Sequence, residues 1–132
     1  DVYVIFKRKE GFRFTFEQPV KSAFQLTKNG EPIEPHASYV TAEILDISPK
    51  GMKISTSFDI KDELTEEVQL FMIYCLDTLE IQSYGEIIWK RRGGEGFLYG
   101  LYFHAQDENE QKIISELKSR RRKELKMGER RS

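Results

Sequence analysis

The chain has 132 residues, 39% of them apolar and 33% charged, and a formal net charge of −1. That balance fits one globular domain with one core rather than a disordered chain, and no apolar run approaches the ~20 residues of a membrane-spanning helix. The near-neutral total excludes a globally basic nucleic-acid binder. It also hides an asymmetry: residues 117–132 carry eight Lys or Arg against two Glu, a local net of +6, which leaves −7 for residues 1–116. Any cationic site in the body must be local.

The first residue is Asp1 rather than Met, which fits one domain of a longer protein. Residues 7–14, KRKEGFRF, gather Lys7, Arg8, Lys9 and Arg13 around Gly11 at the mouth of a strand pattern. Alone, such a run reads as solvated charge. Phe14, Phe16 and Gln18 alternate with Thr15 and Glu17, Pro19 interrupts, and residues 24–26 resume the strand. Lys28-Asn29-Gly30 predicts a hairpin turn, because Asn-Gly readily takes positive φ. Residues 31–38 hold Pro32 and Pro35 and predict a loop.

Residues 39–47 alternate again, with Val40, Ala42 and Ile44 on one face and Thr41, Glu43 and Leu45 on the other. After a break at 48–51 come a strand over 52–57, a polar connection over 58–65 and a strand over 67–76. Asp77-Thr78 reads as a two-residue turn into a strand over 79–90, residues 91–96 as a glycine-rich turn, and 97–103 as the last strand. Six or seven short strands at this spacing predict an antiparallel barrel or sandwich.

The tail changes period. Asp107, Glu108 and Glu110 suit a helix N-terminus, and Lys and Arg crowd the far end, complementing the macrodipole. Ile113, Ile114, Leu117 and Leu125 form a partial apolar stripe that Arg121 interrupts. The second half of the helix is therefore expected to leave the domain surface and to fray beyond Met127. Residues 1–106, barrel and basic arm, and residues 107–132, helix and basic tail, read as a single domain.

Cys75 is the only cysteine and sits in an apolar run, as a small core hydrophobe would in a reducing, cytoplasmic compartment. His36 and His104 lie far apart and match no zinc spacing, so no metal or cofactor is expected. Ser48 has no neighbouring His and Asp46 no carboxylate partner in sequence, so the residues do not point to an enzyme. Trp89, Phe97, Tyr99, Tyr102 and Phe103 read as core or sheet face, and Arg91-Arg92 as a solvated turn.

The break at 46–51 reads DISPKG. Asp46 and Ser48, two apart on an extended chain, project to the same side. An Asp carboxylate accepts paired N–H donors such as those on a guanine edge, a Ser hydroxyl donates or accepts, and Gly51 permits a tight reversal or a close ligand. The same residue types also build plain turns.

A basic cluster ending in Arg13 at a strand start, followed some 30 residues later by D-x-S-x-x-G, then strands and a helix, resembles the PilZ family. GEIIWK with Gly85 and Trp89, then YGLYF with Gly100 and Phe103, resembles that family's barrel closure. The resemblance implies a six- to seven-stranded antiparallel β-barrel with a C-terminal α-helix. It also implies a receptor for cyclic di-GMP, held by an R-x-x-x-R motif and by Asp46, Ser48 and Gly51. Arg13 takes the second Arg position; Lys9 stands in the first, with Arg8 one place earlier. Arginine stacks on guanine and forks two donors to phosphate or to O6 and N7, whereas lysine keeps only a point charge.

On this reading the arm around residues 7–12 is mobile and a bound dianion draws it onto the barrel, changing the surface offered to a downstream protein or attached domain. The alternative is a degenerate PilZ module acting through protein contacts or another nucleotide such as ATP. The basic tail offers a third reading, contact with RNA, DNA or an anionic membrane, but it lacks aromatics to stack bases, and cations at a helix C-terminus are expected anyway. No DNA partner is expected.

Overall fold

The computed structural model describes residues 13–33, 39–104 and 107–131, the side chains of 107 and 127–131 excepted. Seven antiparallel strands and one long helix account for most of them: β1 (Phe14–Lys28), β2 (Glu31–Pro32), β3 (Val40–Ser48), β4 (Gly51–Thr56), β5 (Gln69–Cys75), β6 (Glu80–Gly93), β7 (Gly96–Phe103) and α1 (Asp107–Arg131). The pairing order β1-β3-β4-β7-β6-β5 returns to β1, which pairs with both β3 and β5. The result is a closed six-stranded barrel, with β2 a short added strand on β1. Closure removes the unpaired edges that an open sheet would expose.

Side chains of alternate residues fill the barrel: Phe24, Ile44, Ile47, Ile54, Leu70, Met72 and Tyr99 are fully buried. Three bulges break this alternation. Between Thr15 and Val20, β1 carries extra residues opposite β3, and Pro19, which has no N–H to give a ladder, falls within that bulge. The expected interruption at Pro19 is thus a bulge inside one continuous strand. In β3 the register slips at Leu45, and in β6 at Ile88.

The β1–β2 hairpin turns on Asn29 (φ 54°) and Gly30 (φ 82°), both in the left-handed region as that dipeptide predicts. Four local expectations need correction: Glu31–Pro32, expected within a loop, form the short strand β2. Arg91 and Arg92 are strand residues of β6, paired with Leu98 and Phe97, and the turn comes later, at Gly94 and Glu95. Cys75 is exposed, because it ends β5 with its side chain opposite in phase to the buried Tyr74 and Leu76. The β5–β6 connection spans Leu76 to Leu79 rather than two residues, since Cys75 pairs with Glu80.

The cause of that longer loop lies on α1. Ile113 and Leu117 bury against the barrel, and between them Glu116, only 4% exposed, turns its carboxylate into the loop. Its Oε1 accepts the backbone N–H groups of Asp77 (3.3 Å), Thr78 (2.8 Å) and Leu79 (2.7 Å). One turn on, Ser119 donates to Asp77 (2.6 Å), Lys123 pairs with both its oxygens (3.0 Å), and Arg120 donates to the Leu76 carbonyl (2.9 Å). Residues 121–126 are exposed, Leu125 at 55%, but the expected departure from the surface is only partial, since Lys123 still reaches Asp77; the helix itself runs past Met127 to Arg131.

Two outcomes follow. Glu116→Ala strands three loop N–H groups and should cost about 2 kcal/mol in urea unfolding, with Glu116→Gln recovering part of that. The Ser119 hydroxyl and the Lys123 ammonium hold Asp77 below its usual 3.8. A depressed folded-state pKa adds stability above the unfolded value and loses it as pH falls through the folded one. The melting-temperature gap between wild type and Asp77→Asn should therefore be full near neutrality and close below about pH 4.

Candidate functional site

The bulge at Leu45 decides where the DISPKG segment points. Ile44 and Ile47 both face the core, although three apart, so Asp46 and Ser48 take the outer wall. Ser48 pairs directly with Gly51, making Pro49-Lys50 a two-residue hairpin turn. Its hydroxyl works within that turn: it accepts the Lys50 N–H (3.3 Å) and donates to the Gly51 carbonyl (3.4 Å). Gly51 has a different task from the tight reversal expected of it. A Cβ there would stand 2.2 Å from the Leu101 carbonyl oxygen, so glycine is what lets β7 lie against the hairpin. The Phe103 N–H donates to the Lys50 carbonyl (2.8 Å) and fixes that approach.

Arg13, at the start of β1, reaches across to Asp46 and donates to its Oδ1. The second cationic position of the first motif and the carboxylate of the second are thus in direct contact. Lys53 Nζ stands 3.5 Å from the other oxygen, Asp46 Oδ2. Arg8 and Lys9 lie outside the described residues, as does the rest of the 7–12 arm.

Register extends the site across the wall. Thr15, Asp46, Lys53, Gly100 and Trp89 are direct partners on β1, β3, β4, β7 and β6, one continuous row. Ser48, Gly51, Tyr102 and Glu86 form the next row. At ~4.8 Å per strand, Asp46 and Trp89 stand about 14 Å apart along the first row. The slip at Ile88 brings Trp89 to the outer side, where its indole lies over Gly100: a Cβ on Gly100 would meet Trp89 Nε1 at 2.1 Å. The Arg91 guanidinium sits 5.0 Å above the same indole. Arg13, Asp46, Lys53, Ile88, Trp89 and Gly100 line an open cleft of about 190 Å³.

Lys53 and Trp89 were not marked as site residues by the sequence, and each depends on a register slip that alternation cannot reveal. A tryptophan opposite a glycine on neighbouring strands, GEIIWK against YGLYF, is the one local hint. Beside the cleft, Lys50 Nζ pairs with Glu110 on α1 (3.2 Å), tying the motif turn to the helix. His104 Nε2 pairs with Glu86 (2.8 Å) at the end of the second row.

A small closed barrel with an acid, cations and an aromatic face on its outer wall belongs to the class of closed antiparallel β-barrel domains. The family model of the PilZ domain matches residues 6–119, and the chain belongs to that family. Its structure is similar to that of the PilZ domain of YcgR from Escherichia coli, solved with c-di-GMP: TM-score 0.60, 16% identity, 93% of this chain and 98% of that one. At that identity the likeness speaks for the fold. Among the curated proteins no sequence match was found.

The two glycines of the wall yield a contrast. Gly51→Ala meets backbone and should destabilise by about 3 kcal/mol in urea unfolding. Gly100→Ala meets first the side chain of Trp89, the single tryptophan, and should displace it. The expected result is a red-shifted emission with a smaller stability loss.

Proposed function

We propose that this domain is a cyclic di-GMP-binding regulatory module that signals to a partner protein or neighbouring domain in the cytoplasm. The observation that carries this reading is the meeting of the two motifs: Arg13 on Asp46, in a cleft walled by Lys53 and Trp89. Asp46 takes the N–H edge of a guanine, Arg13 stacks on or forks to the ligand, and Trp89 offers a flat apolar face. Arg8 and Lys9 close over the phosphates from the arm, while Ser48 and Gly51 keep the hairpin in shape beneath. The YcgR domain solved with c-di-GMP supports the choice of ligand through a shared fold.

The residues act by binding, not by chemistry. A ligand that contacts both arm and barrel favours the ordered arm over the free one, and only such differential contacts shift that balance. The Lys50–Glu110 pair supplies a route from the motif turn to α1, whose basic end projects from the barrel for a partner to read.

Isothermal titration with cyclic di-GMP, with ATP and GTP as comparators at fixed salt, tests this reading. Micromolar or tighter binding is expected, weakened about 10- to 100-fold in Arg13→Ala and in Asp46→Ala. No heat with cyclic di-GMP sinks it. Heat with ATP instead marks a repurposed pocket. Silence with all three favours the degenerate module, for which Lys9 in place of arginine already argues.

A further inference from the structure

Lys53 lies outside both motifs, two residues beyond the glycine of the second, and by alternation alone is a solvent-facing strand lysine. Its setting is more particular. It occupies the middle of the row, with Asp46 as its partner on one side and Gly100 on the other. Because Gly100 has no side chain, the lysine's direct partner on β7 does not cover it, and Trp89 forms the next wall. The ammonium lies 3.5 Å from Asp46 Oδ2, Arg13 holds Oδ1, and the lysine is 39% exposed toward the cleft.

One carboxylate therefore orients two cations, one on each oxygen. A guanine edge offering two parallel N–H donors needs both oxygens of Asp46. Taking them releases Arg13 and Lys53 together, at the moment when the phosphates of the same ligand arrive to receive them. A ligand with phosphates but no such donors leaves Asp46 paired and meets its negative charge. One with the donors but no phosphate leaves two cations without partners, at a cost in free energy.

We propose, resting on the reading above, that Lys53 is a ligand-contacting and specificity-determining residue. It keeps Asp46 oriented, transfers its charge to a ligand phosphate, and makes the cleft demand a guanine edge and a phosphate at once. As a fixed strand residue it supplies a phosphate contact that does not depend on the arm, which offsets the fork lost with lysine at position 9.

The test titrates wild type, Lys53→Met and Lys53→Arg with cyclic di-GMP at low and high salt, with a melt of each protein. Lys53→Met should bind about tenfold more weakly at low salt, and the gap should narrow at high salt because a screened charge contributes less. Lys53→Arg should stay within about threefold of wild type, and the melts should agree within a few degrees. Wild-type binding with an unchanged Lys53→Met overturns this inference alone. A loss in Lys53→Met that ignores salt and persists in Lys53→Arg also overturns it, since it marks packing rather than charge. Silence in the wild type overturns the ligand assignment and this inference with it.

Discussion

The constraint on which the structure turns is the two-residue period of a strand. A barrel wall has one dry face and one wet face, so every residue's side is set by counting in twos from its neighbours. Two single-residue slips, at Leu45 in β3 and Ile88 in β6, reset that count in mid-strand. Without the first, Asp46 would follow Ile44 toward the core and bury an acid among Ile44, Ile54 and Tyr99. Without the second, Trp89 would follow Ile87 inward, where Tyr99 and Leu101 already fill the space. The site exists because both slips occur at heights that bring Asp46 and Trp89 into one row.

The helix completes the barrel by supplying polar partners rather than apolar area alone. Glu116 satisfies a loop whose own residues leave its N–H groups turned outward, and Ser119, Arg120 and Lys123 fasten the same loop. Arg120 also lies 5.0 Å over the Phe16 ring of β1, two residues along the alternation from Phe14. Together with Lys50–Glu110, this leaves α1 touching β1 and the turn of the DISPKG hairpin. On the proposed reading, these contacts offer a route from the wall cleft to the helix.

What the sequence made legible was local. Alternation located nearly every strand, Asn29-Gly30 announced its turn, and DISPKG announced both a hairpin and an acid worth examining. What it hid was anything decided by a residue far along the chain. The β5–β6 loop looked like Asp77-Thr78 because Glu116 is some 38 residues away. Gly51 read as a tight reversal or a close approach for a ligand because the carbonyl it accommodates belongs to Leu101, 50 residues on. Cys75 looked buried because an apolar run conceals which of its members face out. Trp89 and Arg91 were separated from the site by bulges, which leave no compositional mark.

The charge distribution bears on how such a cleft selects. With −7 on residues 1–116, the long-range field of the body repels an anionic ligand rather than steering it in. Attraction begins only within about a Debye length, ~8 Å at physiological salt, where Arg13, Lys53 and Arg91 outweigh Asp46. On the proposed reading, association gains little from steering, so affinity comes from contacts that hold the bound ligand, and hence from slow release. That places the weight on short-range geometry: a fork, a stack and a fixed lysine.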